Sequence, residues 1–302
     1  MWILYSLIGA FSQALGAAFK KKALQTPGMN NVIGFISFAF AGIIFWLLYF
    51  SNTETFWIEN LSHRFWGAMF WYAGLNIIAA WFLYRALDLA EFNHLMPFMT
   101  LTSLTLIIPP IFILGEVPSL VSILGIILIV SGVLYINYNP SKVGQPTQSD
   151  DQRKANRKGV LYFLVTAICY TITPTAAKIT VQESSAMFAS AIVHLLVGLG
   201  FLGMIIALRE LPRLSAVLRR PTYRKLFLAI LVTGIIIVFE NGSINTALST
   251  TSVAYVFAIK RLMPFFAFLI GLFYFKEKTD LKKKILATAL MVAGAVIVTL
   301  FG

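Results

Sequence analysis

The chain has 302 residues, of which 59% are hydrophobic and 12% are charged, and its formal net charge is +12 at pH 7. Soluble domains usually carry about a quarter charged residues, so the composition excludes a soluble globular protein and predicts an integral membrane protein. A single cysteine, Cys169, excludes an intramolecular disulfide, and three scattered histidines lack metal-ligand spacing. The basic residues lie in short clusters between apolar runs, which is typical of membrane topology and not of a nucleic-acid-binding surface.

Ten apolar runs are long enough, or nearly long enough, to cross a bilayer, for which a helix needs roughly 20 residues. We therefore predict an all-α integral membrane protein with ten transmembrane helices. In chain order the runs are Trp2–Phe19, Val32–Phe50, Phe65–Tyr84, Leu95–Leu114, Leu120–Asn137, Val160–Thr180, Ala186–Leu208, Phe227–Ser243, Ser252–Phe275 and Ile285–Phe301.

The two halves of the chain resemble each other, as an internal repeat should. Shifts of 161 or 157 residues bring the following residues into register: Ala86-Leu87 with Ala247-Leu248, Leu101 with Leu262, Glu116 with Glu277, Leu120 with Leu281, Ala10 with Ala167, Lys21 with Lys178, and Gln25 with Gln182. We predict a first five-helix repeat over residues 1–137, a polar linker over 138–158 and a second repeat over 159–302. Because five is odd, the second repeat must be inverted in the membrane, an arrangement that recurs in secondary transporters.

The lysines and arginines of the loops predict the orientation, because cytoplasmic loops carry the excess of positive charge. Nearly all of them lie in the odd-numbered loops, including Lys20–Lys22, the linker, Arg209–Lys225 and Lys276–Lys284. The odd loops are therefore expected in the cytoplasm, and both termini outside.

Two adjacent cations, Lys260 and Arg261, lie near the middle of the ninth run. Each charge costs ~2.5–3.5 kcal/mol on insertion scales, so such residues are expected to face a water-filled cavity, a partner or an anionic ligand. Their repeat counterparts in the fourth run are the uncharged Met99 and Thr100, so the scaffold does not require charge at this depth. Pro264 should loosen the helix just beyond them.

The alternative to a cavity or an anionic ligand is that one of these cations forms an ion pair inside the protein. Glu240 in the eighth run lies as many residues before the turn near Thr250 as Lys260 lies after it. In an antiparallel hairpin the two residues would lie at the same depth in the membrane, so Glu240 could form a salt bridge with Lys260 or Arg261. One carboxylate neutralises only one of the two cations. The interpretation of the pair as an anion site therefore stays open.

Four further polar residues are candidate substrate contacts, each with a structural alternative. His94 near the start of the fourth run is either an interfacial residue or a ligand contact. Lys178 either snorkels outward at the end of the sixth run or faces the cavity beside Pro174. Asn76 either contacts substrate or joins two helices, and Thr100 is included as the counterpart of Arg261.

The chain resembles the EamA-type drug/metabolite transporter superfamily, whose halves each carry an Ala-Leu pair, an acidic residue after the fourth helix and a glycine-punctuated fifth helix. Here these features are Ala86-Leu87, Glu116 and Gly125/Gly132, and then Ala247-Leu248, Glu277 and Gly294. The resemblance covers nearly the whole chain and implies a transporter; many members are described with both termini in the cytoplasm, unlike the orientation predicted here. Within the superfamily, Lys260-Arg261 and His94 are similar to the phosphate-holding Lys-Arg pair and the histidine of triose-phosphate translocators.

We therefore expect a secondary transporter of the plasma membrane, such as a bacterial inner membrane, that moves a small anionic metabolite by alternating access. Organic phosphates come first as substrates, and carboxylates second. The alternatives are an exporter of amino acids or other zwitterionic or cationic metabolites, with Glu240 as the key residue, and a flippase for a lipid-linked substrate. No cofactor, metal or nucleic-acid partner is expected, no motif indicates an enzyme, and the assembly is expected to be a monomer or a homodimer.

Overall fold

The computed structural model describes residues 1–23, 28–89, 102, 105–137, 150–273 and 281–302. In this part of the chain the regular structure is helical throughout, and seven segments are long and apolar enough to cross a membrane. The helices are α1 (Trp2–Ala23), α2 (Asn30–Thr53), α3 (His63–Leu89), α4 (Ile108–Leu114), α5 (Leu120–Asn137), α6 (Asp150–Gln182), α7 (Ala186–Ala207), α8 (Leu211–Arg219), α9 (Arg224–Leu248), α10 (Val253–Lys260), α11 (Met263–Phe273) and α12 (Leu281–Phe301), with a 3-10 turn at Pro221–Tyr223.

Eight of the ten predicted runs coincide with one helix each, whereas the ninth run is divided between α10 and α11. Of the fourth run, only Thr102 and residues 105–114 lie in the described part of the chain. The all-helical membrane architecture predicted from composition is thus confirmed at the level of these spans.

Part of the predicted polar linker is helical. Helix α6 has 33 residues and begins at Asp150, so residues 150–158 form its first turns, and the domain boundaries stay a prediction. The rest of the predicted linker, residues 138–149, lies outside the described residues.

Serine hydroxyl groups cap the amino ends of three of the membrane helices. The Phe65 N–H donates to Ser62 Oγ at 3.0 Å, the Ser122 N–H to Ser119 Oγ at 3.1 Å, and the Phe188 N–H to Ser185 Oγ at 3.2 Å. Each bond satisfies an amide that has no partner inside the helix. These caps fix the starts of α3, α5 and α7.

The chain divides into two compact units, each built from both halves of the sequence. The first unit contains Met1–Ile77 and Ala176–Thr251, and thus α1, α2, most of α3, the end of α6, and α7 to α9. The second unit contains Ile78–Thr175 and Ser252–Gly302, and thus the end of α3, α4, α5, most of α6, and α10 to α12.

In the first unit, α2 and α7 pack closely through glycines. A Cβ added at Gly42 would lie 2.9 Å from the Leu195 amide nitrogen, and one added at Gly198 would lie 3.1 Å from the Ala39 amide nitrogen. Gly42 thus lies against Leu195, and Ala39, three residues earlier in α2, lies against Gly198, three residues later in α7. The two helices are therefore antiparallel. Small residues allow such close approach between membrane helices.

In the second unit, α5 and α12 make the corresponding antiparallel pair. A Cβ at Gly125 would lie 2.8 Å from the Gly294 carbonyl oxygen, and one at Gly132 would lie 2.7 Å from the Ala287 carbonyl oxygen. The two backbones therefore touch, and any side chain at Gly125 would have to push them apart. These helices begin at Leu120 and Leu281, which are 161 residues apart, as the repeat predicts.

One helix contact recurs in both units at repeat-equivalent positions. In the first unit a Cβ at Gly9 would lie 3.4 Å from the Glu240 carbonyl oxygen. In the second unit Thr166 Oγ1 donates to the Ala79 carbonyl oxygen at 3.2 Å. Thr166 follows Gly9 by 157 residues and Glu240 follows Ala79 by 161, the two shifts found in the sequence. The two repeats therefore share their packing as well as their residues.

Candidate functional site

The ninth predicted span is interrupted at its charged residues. Helix α10 ends at Lys260, and α11 begins at Met263. Pro264 has no N–H to donate to Lys260, and the Phe265 N–H bonds to the Leu262 carbonyl at 2.9 Å. The loosening that Pro264 predicts is confirmed as a break between two helices. This break lies in the middle of the candidate membrane span Val253–Ile270.

The Arg261 guanidinium is held by a neutral hydroxyl. Its Nη2 donates to Thr102 Oγ1 at 2.7 Å, while its Nε is buried and has no hydrogen-bond partner among the described residues. Thr102 belongs to the fourth predicted span, and its side chain is buried. Among the described residues of the same unit, no carboxylate forms an ion pair with this guanidinium. The site therefore presents a positive charge with hydrogen-bonding capacity left over.

Lys260 lies one residue earlier, at the end of α10. Its Nζ is 5.5 Å from the centre of the Phe257 ring, within the range of a cation–π contact. Both cations are only partly exposed. They also lie at the carboxyl end of α10, where positive charge complements the helix dipole.

Hydroxyl groups continue the polar region around Thr102. Thr105 Oγ1 lies 3.3 Å from the Thr102 carbonyl oxygen and 2.9 Å from Thr171 Oγ1 on α6. These threonines were not among the residues predicted from the sequence. Their three-residue spacing in the fourth run was the available signal, since it places Thr102 and Thr105 on one helical face.

Lys178 is buried in the first unit, with 6% of its surface exposed. Its Nζ donates to the Thr251 carbonyl oxygen at 2.7 Å, just beyond the end of α9. The alternative in which Lys178 snorkels outward at a helix end is wrong, because α6 continues through Pro174 to Gln182.

Asn76 and Glu240 also belong to the first unit. Asn76 Nδ2 donates to the Tyr72 carbonyl oxygen in the preceding turn of α3, at 2.7 Å, and both Asn76 and Glu240 are half-buried. The bridge from Glu240 to Lys260 or Arg261 would join residues of different units, and it stays a prediction.

A buried polar network in the first unit was missed by the sequence analysis. Asn245 Nδ2 donates to Ser190 Oγ at 2.7 Å. His194 Nδ1 lies 2.7 Å from the Ser190 carbonyl oxygen, and its ring lies against Phe38 and Phe45. Isolated polar residues in apolar runs were the only signal for this network.

The remaining predicted contacts, His94 and Thr100, lie outside the described residues, as does Glu277. Glu116 is described, and its Oε2 accepts the Val253 N–H at 2.9 Å, so this carboxylate caps the first turn of α10. Among the described residues, no group of three or more histidine, cysteine or acidic side chains could hold a metal ion.

One of the comparisons with known proteins shows the family of this chain. A model described as the EamA-like transporter family matches residues 1–138 and 157–300. A protein of known crystal structure superposes with a TM-score of 0.72 at 15% identity, covering 99% of this chain and 99% of that chain, and at this identity the likeness concerns the fold alone. None of the curated proteins matches. The resemblance found in the sequence is confirmed, and the chain belongs to the EamA-like transporter family, whose members are membrane transporters of small molecules and not enzymes.

Proposed function

We propose that this transporter moves a small anionic metabolite by alternating access, with Arg261 as the central anion-binding residue. Organic phosphates are the first substrate class and carboxylates the second. The observation that carries the proposal is the Arg261 guanidinium, which lies mid-span, donates to Thr102 and has a buried Nε without a hydrogen-bond partner among the described residues. A buried donor of this kind requires a partner, and an anion would supply it.

The choice of an anion follows from electrostatics and geometry. A cation in a membrane span is costly unless a ligand or water compensates it. The arginine fork can bind a phosphate or carboxylate through two parallel hydrogen bonds, and Lys260 adds a second positive charge. The break between α10 and α11 lies directly at these two cations. Interrupted helices of this kind recur in transporter sites.

The architecture we propose has ten transmembrane helices in two inverted five-helix repeats. Antiparallel packing of equivalent helices, α2 with α7 and α5 with α12, supports the inversion, and so does the contact repeated at Gly9 and Thr166. We further propose a bacterial inner membrane, with both termini outside, from the charge of the odd loops. His94, Thr100, Lys178 and Asn76 remain proposed secondary contacts.

Ligand-dependent stability and transport by the purified chain test the role of Arg261. A bound anion raises the melting temperature by mass action, so phosphate esters, carboxylates and amino acids can be compared. Arg261→Lys keeps the charge and loses the planar fork, and we expect it to lose most transport and ligand stabilisation. The matched control is Arg64→Lys, because the Arg64 side chain is 60% exposed and pairs with Glu183 at 3.4 Å; this variant should leave transport and ligand stabilisation unchanged.

Thr102 offers a second test of the same site. Thr102→Val removes the acceptor of Arg261 Nη2 at nearly constant volume and should weaken anion binding, whereas Thr102→Ser should retain it. Full transport by Arg261→Ala and by Thr102→Val would show that the charge is part of the scaffold. The anion proposal would then be abandoned.

Glu240 supports one alternative, because it is a half-buried carboxylate within the candidate span Pro221–Leu248. In that case the cargo is an amino acid or another zwitterionic or cationic solute. Glu240→Gln should abolish transport of such a solute, and it should leave anion transport intact if Arg261 carries the site.

A further inference from the structure

Helix α8 has an apolar face that is only half covered by protein. Leu214 and Val217 are 9% and 2% exposed. They pack in one cluster with residues at the start of α2, in α7 and in α9, namely Met29, Val32, Ile205 and Ile230. Leu211 and Leu218 are 49% and 55% exposed. At 100° per residue these two leucines project within about 20° of each other, beside the buried pair. The apolar stripe of α8 therefore extends past the protein surface.

A group of cations lies next to this exposed stripe. Arg219, Arg220, Arg224 and Lys225 are all exposed, at the end of α8 and the start of α9. No ion pair joins any of them to a carboxylate among the described residues. This cluster thus differs from Arg213 on the same helix, whose Nη1 bonds Glu210 Oε1 at 2.6 Å and the Gly28 carbonyl at 2.9 Å.

We propose that α8 lies in the membrane interface and binds anionic phospholipid. Leu211 and Leu218 enter the acyl-chain boundary, and the cationic cluster of Arg219, Arg220, Arg224 and Lys225 holds the headgroup phosphates. An exposed apolar stripe bordered by basic residues is the arrangement that favours an anionic lipid surface over a soluble polyanion. The position supports this occupant, because α8 joins the ends of two candidate membrane spans, Ala186–Ala207 and Pro221–Leu248.

The first test measures lipid affinity with the purified full-length chain in neutral detergent. Phosphatidylglycerol should raise the melting temperature, and phosphatidylcholine should not. In Arg219→Gln/Arg220→Gln the apparent affinity for phosphatidylglycerol should fall about fivefold for each arginine removed. The matched control, Lys154→Gln/Arg157→Gln, removes two exposed cations from the polar start of α6 and should retain the wild-type affinity.

Three outcomes would overturn the proposal: equal stabilisation by phosphatidylcholine, equal loss of affinity in the α6 control, or equal stabilisation by inorganic phosphate. The third would indicate a water-exposed anion site without a membrane contribution. A second measurement is independent of the charges. A spin label at Leu218→Cys in reconstituted protein should be more accessible to oxygen than to a water-soluble relaxant, and a label at Ala216→Cys, about 160° away around α8, should show the reverse. Equal accessibility at the two positions would refute the interfacial placement.

Discussion

Replacing Gly125 by alanine should separate α5 from α12. The added Cβ would lie 2.8 Å from the Gly294 carbonyl oxygen, whereas ordinary contact begins at 3.4 Å, so the helices must move apart by about 0.6 Å. Overpacking of this kind typically costs about 1–3 kcal/mol, against a gain of roughly 1 kcal/mol because alanine favours the helix. These two figures leave a net loss of about 0–2 kcal/mol. Because the obstacle is backbone and cannot rotate away, we expect a loss near the upper end of that range.

Thermal unfolding of the purified chain in detergent measures this effect against a matched control. At Gly74 in α3 a Cβ would meet nothing within 4 Å, so Gly74→Ala keeps the helix-propensity gain without the clash. Gly125→Ala should melt below the wild type, and Gly74→Ala at or above it. If both variants melt at or above the wild-type temperature, the close backbone contact between α5 and α12 is not present.

Three further predictions concern other parts of the chain. Lys178→Met removes the donor to the carbonyl of the half-buried Thr251 and should destabilise the protein by about 1–3 kcal/mol. A melting temperature equal to that of the wild type would show that the bond contributes nothing. Glu116→Ala should lose about 1 kcal/mol through the uncapped Val253 N–H, and Glu116→Gln should lose less because its amide oxygen still accepts; equal losses would contradict the capping role. A reporter active only in the cytoplasm should stay silent after Gly302, and Ser149→Cys should resist an impermeant thiol reagent in intact cells; the opposite pattern would reverse the orientation.

The membrane spans could be predicted because apolar length is the strongest signal in such a chain. The run Leu120–Asn137 agrees with α5 at both ends. The start of α6 could not be predicted in this way, since residues 150–158 are polar and make no apolar stripe. The repeat shifts predicted equivalent packing, but they gave no sign that equivalent helices pack directly against each other.

Of the candidate site, only the charged residues could be predicted from the sequence. Lys260 and Arg261 stand out because cations are rare within spans. The bond from Arg261 to Thr102 could not be foreseen, because hydroxyls in membrane helices commonly bond within their own helix, as Thr173 Oγ1 does to the Cys169 carbonyl at 2.7 Å. Sequence therefore located the charge, and the structure identified its neutral partner.

The antiparallel pairs have a consequence for biosynthesis. Helix α7 begins 156 residues after its partner α2, and at about 5–20 residues per second the ribosome needs roughly 10–30 s to supply it. During that interval the faces of α2 around Gly34 and Gly42 lack the side chains of Phe201 and Leu195 that later contact them. Lipid or an insertion chaperone must occupy these faces meanwhile. Neither unit can be completed before the second half of the chain has entered the membrane, so a ribosome that stalls in the linker leaves two unfinished units.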